Sequence, residues 1–236
     1  MNDSTLNSSE FHAQKDPVFS ALTHELRNIL TMTSCSLNVV ELQHPEVKNF
    51  SHWKEIQEDF LSMRELLKQF SAYNNCGNIS PVLQPLLPLI RQVQASAQAW
   101  LDARQQTLSV RAEKSLPPLF LDSIKIRELL INLLKNASEA SPSGSPIRID
   151  VRRKQDWVLM SITDQGCGIP PEQAEKIFEV FHTTKPEGSG LGLPLARRIA
   201  RAHGGELSFR SIPGAETCFT VSFPVCGKKE PRKENR

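Results

Sequence analysis

Between residues 19 and 40 the apolar positions recur at three-to-four spacing: Phe19, Leu22, Leu26, Ile29, Thr33, Leu37 and Val40 form one seam, the signature of an amphipathic helix. A second run, Trp53, Ile56, Phe60, Met63, Leu67 and Phe70, alternates threes and fours without a break. That is a coiled-coil-like seam, which helices from two chains would bury together. Pro45 lies between the runs and ends the first helix, so the pattern predicts a helical hairpin. Farther along, helices are expected at about 82 to 103, 122 to 140, 171 to 178 and 193 to 203. Ile147 to Val151 and Val158 to Thr163 alternate with period two and are joined through residues 152 to 156, which predicts a pair of adjacent strands. Glu206 to Arg210 and Thr217 to Phe223 predict a second hairpin. Helices over one face of such a sheet make an α+β sandwich.

The chain of 236 residues suits a small helical domain followed by a larger one. The expected division is a disordered N-terminus at 1–15, a helical domain at 16–76, a sandwich domain at 79–226 and a disordered, charge-rich tail at 227–236. A net charge of +2 gives no argument for nucleic-acid binding. Five cysteines, Cys35, Cys76, Cys167, Cys218 and Cys226, show no paired metal spacing and are expected to be reduced thiols of a cytoplasmic protein. The apolar stretch from Val82 to Val93 is too short to span a bilayer and is cut by Pro85 and Pro88, and no signal peptide is visible.

The polar residues set into these elements carry the chemistry. In the helix of residues 122 to 140, Ile126, Leu129, Leu130, Leu133, Leu134 and Ala137 mark the apolar face, and Asp122 is placed to cap it. Asn132 and Asn136 lie one turn apart on one edge. Amide oxygens are neutral, hard ligands suited to Mg²⁺, although two solvated asparagines would give the same pattern. Asp164 closes a strand-like run and is followed by Gly166 and Gly168. The glycines permit a tight turn where a flat base can approach, and a buried carboxylate there can accept the exocyclic amine proton of adenine. Gly188, Gly190, Leu191 and Gly192 lead into the last helix, where free backbone amides can face a polyphosphate. Each motif alone is weak, but their order reads as a site for ATP and Mg²⁺. Lys185, just before the glycines, could contact a phosphate or be a solvated lid lysine.

Upstream, His24, Glu25 and Asn28 fall in the first helix. At about 100° per residue, His24 and Asn28 turn away from the apolar seam into solvent, with Glu25 less exposed. An exposed imidazole has a ring nitrogen free for attack, and Glu25 could bind the proton of the other nitrogen.

From about Asp16 to Val225 the chain resembles the catalytic core of a two-component histidine kinase, nearer the nitrogen-regulator type than the osmosensor type. His24, Glu25 and Asn28 match the family's H box, Asn132 and Asn136 its N box, and Asp164, Gly166 and Gly168 its first glycine box. Ile177 to Lys185 resembles the F box and Gly188 to Leu193 the second glycine box. The resemblance implies a hairpin that dimerises into a four-helix bundle, a Bergerat-type ATP-binding sandwich, autophosphorylation of His24, and transfer to an aspartate of a separate response regulator. It also implies that Asn28 positions water for dephosphorylating that regulator. Related ATPases place a water-activating Glu at the position of Asn132, and an amide cannot act as that base. The family usually has Pro where this chain has Ile29, so a straighter, stiffer first helix is expected. Only about fifteen residues precede that helix, so the expected input is a partner protein, a ligand on the bundle or a separate sensor. A kinase-inactive dimeric phosphotransfer or scaffold protein and a serine kinase of the anti-sigma-factor type are the alternative classes; intact glycine boxes weigh against the first and the His-Glu-x-x-Asn hairpin against the second.

Overall fold

The computed structural model describes residues 17–185 and 188–225, with side chains from residue 22 onward. The side chain of Phe19, Cys226 and both terminal segments lie outside that description. The chain divides into two compact units, Met1–Asn75 and Cys76–Arg236.

The first unit is a hairpin of α1 (Pro17–Gln43) and α2 (Trp53–Asn75), joined through a short 3-10 turn, Pro45–Asn49. α1 runs unbroken through Ile29, and Thr31, Thr33 and Ser36 return their hydroxyls to the carbonyls one turn back. At the loop, Glu41 receives hydrogen bonds from Trp53 Nε1 at 3.3 Å and Gln57 Nε2 at 2.6 Å and pairs with Lys48 at 2.8 Å. Lys48 and these donors hold its carboxyl below the ordinary range.

The seam expected on α1 does not close the hairpin. Leu22, Leu26, Ile29 and Val40 are exposed, while Leu30, Thr33, Ser34, Leu37 and Glu41 are half-buried. On α2, Trp53, Phe60, Leu67 and Phe70 are half-buried, but Ile56 and Met63 are exposed. Helical periodicity marks which positions share a face and leaves open which neighbour covers it.

The second unit is a sandwich of two layers. Its sheet has the order β2–β4–β5–β7–β6. β4 (Pro146–Lys154), β5 (Trp157–Asp164), β7 (Glu216–Pro224) and β6 (Glu206–Ile212) are antiparallel neighbours, and β2 (Thr107–Ala112) adds in parallel to β4. α3 (Leu86–Ala103), α4 (Ser123–Ala140) and α5 (Gly192–Ala202) accompany it, and β1 (Val82–Gln84) pairs separately with β3 (Leu119–Leu121). Ile147, Ile149, Val158, Met160, Ile162, Val221 and Phe223 alternate along the strands and are buried, as are Leu130, Leu133 and Leu134 of α4 and Leu195 and Ile199 of α5. The opposite sheet face is polar, with Ser161 and Thr220 sharing a 2.9 Å hydrogen bond and Arg148 pairing with Asp150 at 2.6 Å.

Several elements depart from expectation. Residues 82 to 84 are strand, because Pro85 biases the residue before it towards extended backbone and stands at the N-cap of α3. Residues 171 to 178 form two 3-10 turns, Pro171–Gln173 and Lys176–Phe178, too short to repay helix nucleation. The hairpin of β4 and β5 extends through most of the expected connection, leaving a turn in which Gln155 takes φ 55°. β1 and β3, three residues each, are too short to carry an alternation of their own, whereas β2 alternates Leu108, Val110 and Ala112 with Thr107, Ser109 and Arg111 and was missed.

Candidate active site

α4 is fixed in place before it presents anything. Asp122 caps it, one carboxylate oxygen accepting from the amides of Ile124 at 3.0 Å and Lys125 at 3.2 Å, the other from the amide of Ser80 at 2.9 Å. These donors outweigh the burial that raises the carboxyl and leave it below its ordinary value. The buried leucines set the helix's rotation, so Asn132 and Asn136 stand half-buried at its edge. Asn132 donates from Nδ2 to the Glu128 carbonyl at 2.9 Å, which leaves Oδ1 for other partners. A Cβ added at Gly192, the first residue of α5, would come 3.3 Å from Asn132 Oδ1 and 3.8 Å from Asn136 Nδ2. The second glycine box and the asparagine pair therefore meet, although 56 residues separate Asn136 from Gly192 in sequence.

The first glycine box is joined to the other end of α4. A Cβ at Gly166 would lie 2.6 Å from the Ala140 carbonyl oxygen, and the Cys167 amide donates to that oxygen at 3.2 Å. Gly168 adopts φ 69°, with the Ile212 carbonyl oxygen 2.4 Å from where a side chain would begin. Asp164 is 2% exposed and accepts from the Gly166 amide at 2.9 Å. Burial pushes its carboxyl above the ordinary value, against the opposing amides of Gly166 and Thr217.

Ahead of α5 the backbone is tightly folded. Gly190 has φ 65°, and its carbonyl accepts from the amide of Phe181, itself at φ 66°. Leu191 is 1% exposed at the N-cap of α5, so it offers a ligand its backbone and not its side chain. Gly188 packs against Thr183 so closely that a Cβ would overlap the hydroxyl. The Lys185 ammonium is paired with Glu139 of α4. Glu139 was missed in the sequence, as was Arg197. The Arg197 guanidinium lies 4.5 Å above the Phe178 ring and bonds Glu206 at 2.8 Å, tying the F-box turn to α5. Nothing local to either residue signals these partners.

His24, Glu25 and Asn28 lie in the separate helical unit. All three are exposed. The neighbour of the ring is the Asn28 side-chain amide, 3.2 Å from His24 Nδ1. One turn of helix places it there, whereas Glu25 projects about 100° away.

Residues 121–226 match the family described as histidine kinase-, DNA gyrase B- and HSP90-like ATPase. The chain is 30% identical over 228 residues to the adaptive-response sensory kinase SasA of Rippkaea orientalis, covering 87% of this chain and 56% of that protein. It is 28% identical over 216 residues to sporulation kinase C of Bacillus subtilis, covering 87% and 48%. It thus spans about half the length of the curated relatives it matches. Among solved structures, the catalytic domain of the histidine kinase ThkA superposes with a TM-score of 0.58 at 29% identity, over 62% of this chain and 97% of that one. Full-length ShkA in complex with AMPPNP gives 0.76 at 21% identity, over 89% and 46%. ThkA in complex with the response regulator protein TrrA gives 0.63 at 23% identity, over 89% and 61%.

The fold and the site define an ATP-binding domain of the histidine kinase and gyrase class. Residues 121–226 belong to that ATPase family, and with the hairpin before it the chain is similar over most of its length to the catalytic core of two-component histidine kinases. Among the described residues no helix is long and apolar enough to cross a membrane, and Cys35, Cys167 and Cys218 are free thiols.

Proposed function

We propose that this chain is an ATP-dependent protein histidine kinase, which transfers a phosphoryl group from Mg-ATP to His24 and then to an aspartate of a separate response regulator. The carrying observation is the approach of Gly192 to Asn132 and Asn136 at one end of α5. The residues there fit the nucleotide. Asp164 offers a buried acceptor for the adenine amine, the first turn of α5 offers amides to the phosphates, and the Asn136 amide oxygen is a ligand of the kind Mg²⁺ takes. ATP supplies the phosphoryl group, and the cation neutralises its oxygens.

The chain's own residues determine where that group goes. Asn132 cannot deprotonate water, which favours a protein acceptor over hydrolysis. Attack by Nε2 requires its lone pair and so places the ring proton on Nδ1; the Asn28 amide, whose nitrogen lies 3.2 Å from Nδ1, then turns its oxygen to that proton or yields it to Glu25. The N–P bond forms as the bond to the ADP oxygen breaks, and Glu25 or solvent takes the ring proton. Lys185 reaches a phosphate by exchanging the Glu139 carboxylate for it. The exposed Leu22, Leu26, Ile29 and Val40 suit a second copy, giving a homodimeric four-helix bundle. The fold shared with ThkA, solved with TrrA, supports a response regulator as partner. On this reading residues 16–76 are the dimerisation and phosphotransfer domain and 79–226 the catalytic domain.

Incubation with Mg-ATP is expected to label the protein with an acid-labile, base-stable phosphoryl group, as a phosphoramidate should be. His24→Gln abolishes the label while nucleotide still binds. Label that survives in this variant overturns the assignment.

A further inference from the structure

α4 and α5 lie against each other in opposite directions and meet at both ends. At one end Gly192 faces Asn132 and Asn136. At the other stands His203, the residue that closes α5. It is 7% exposed. Its Nδ1 lies 2.8 Å from the Ile199 carbonyl oxygen and its Nε2 lies 3.0 Å from the amide nitrogen of Asp122, the N-cap of α4. A carbonyl only accepts and a backbone amide only donates. Nδ1 therefore carries the proton and Nε2 presents its lone pair, which fixes one neutral tautomer. Phe223 of β7 meets the ring edge-on, with centroids 6.3 Å apart and planes at 87°. The two meeting points are separated by about 16 Å, the rise of an eleven-residue helix.

We propose that His203 is a positioning residue for the nucleotide site: as the neutral Nδ1–H imidazole it fastens the far ends of α4 and α5, thereby setting the approach of Gly192 to the asparagine pair, and a proton on Nε2 releases the fastening. The proposal rests on the reading of that cleft as the Mg-ATP site.

The surroundings determine the direction of the response. Burial pushes the His203 imidazole below its ordinary value, against the Ile199 carbonyl and the Asp122 carboxylate, both of which favour the charged ring. Asp122 on α4 is the charged group facing it, β7 presents the apolar Phe223, and α5 itself presents the Ile199 carbonyl. A second proton would set Nε2–H against the Asp122 amide, donor to donor, and the bond would be lost. Because the folded protein binds this proton less readily than the unfolded chain, the clamp's stabilisation is complete above the unfolded value near 6.5 and drains away as pH falls through the folded value.

The test combines two measurements on the full chain. Histidine ¹⁵N resonances are expected to show one ring locked as the neutral Nδ1–H tautomer and titrating below about pH 6.5; loss of that signal in His203→Gln assigns it. The other measurement is calorimetric binding of a non-hydrolysable ATP analogue with Mg²⁺ between pH 7.5 and 5.5, at temperatures where each variant is folded. In His203→Gln the side-chain oxygen can accept from the Asp122 amide but cannot switch, and His203→Leu has no acceptor. Wild type should lose affinity on acidification by on the order of tenfold more than His203→Gln, the effect of about one hydrogen bond. Protonation of the nucleotide itself contributes equally to every variant. His203→Leu should bind on the order of tenfold more weakly than wild type at pH 7.5. Parallel slopes for wild type and His203→Gln, a lowered melting temperature in His203→Leu with unchanged affinity, or a ring that titrates at or above the ordinary value each overturn the proposal. Wild type that shows the locked ring yet binds no nucleotide at any pH overturns the site reading itself, and the proposal with it.

Discussion

The two units bury their apolar side chains to very different extents. In the sandwich, Leu129, Leu130, Leu133 and Leu134 of α4 and Ile147, Ile149 and Val158 of the sheet are all 0% exposed. In the hairpin, Leu22 is 52% exposed, Ile29 57% and Leu61 61%, and α2 has no buried residue. Fully burying such a side chain contributes roughly 1.5–3 kcal/mol, and one left half in water forgoes a corresponding part of it. The sandwich therefore has a core of its own, whereas the hairpin is an incomplete one that needs another helical surface. The difference matches the chemistry proposed for each unit: a nucleotide cleft requires fixed backbone, and a phosphoacceptor must be open to partners.

The sharpest way to break this comparison is to charge the hairpin's outer seam. Leu26→Asp with Ile29→Asp is expected to convert a dimer into monomer and to abolish His24 labelling, while the sandwich still melts cooperatively and binds nucleotide. Sedimentation and calorimetry read the two units separately. A double variant that remains dimeric would show that the seam is not the interface. The reciprocal change, Leu133→Ala, should cost about 2–5 kcal/mol, measured as an earlier melting transition of the sandwich with the hairpin's own transition unmoved.

Smaller effects sharpen the picture inside the sandwich. Asn136→Ala should weaken Mg²⁺-dependent nucleotide binding by on the order of tenfold to a hundredfold, as expected for loss of a ligand to a charged group; equal affinity by calorimetry would move the cation elsewhere. For Asp164→Asn, affinity and stability should move in opposite directions. The variant should bind adenine nucleotides more weakly yet gain stability relative to wild type as pH rises from acid towards neutral. The sign follows from the raised carboxyl of Asp164: the folded state holds this proton more tightly, so its contribution is present below the unfolded value and is lost as pH rises through the folded one. Denaturant melts across pH measure it. In the hairpin, Asn28→Ala should leave autophosphorylation largely intact but slow dephosphorylation of the regulator by about one to two orders of magnitude, through poorer positioning of water. Equal phosphatase rates would reduce Asn28 to the ring contact seen here.

Much of this was legible along the chain because it is local. Helical period located α1, α2, α4 and α5, alternation located both strand pairs, and Asp122 announced its cap. The glycines of both boxes could be read as close-approach positions, since a positive φ such as that of Gly168 or Gly190 is a property of the residue itself. The ordered polar set, from His24 through Asn132, Asn136 and Asp164 to Gly192, was equally open to reading.

What the sequence could not determine was every choice between equivalent partners. Periodicity marked a stripe on α1 but not whether α2 or another chain would cover it, and in the structure Leu26 and Ile29 are left outside. The three residues of β1 and of β3 are strands only because each supplies the other's hydrogen bonds, and β2 lies beside β4 through a parallel pairing that no turn between them specifies. Lys185 found Glu139 across 46 positions, and His203 found the Asp122 amide across 81. Such pairings depend on where packing brings distant elements together, and side-chain type alone is compatible with many partners. The sequence by itself determined the chemical groups and the periods of the elements; the tertiary structure decided which groups meet, because only burial of the shared core fixes the distances between them.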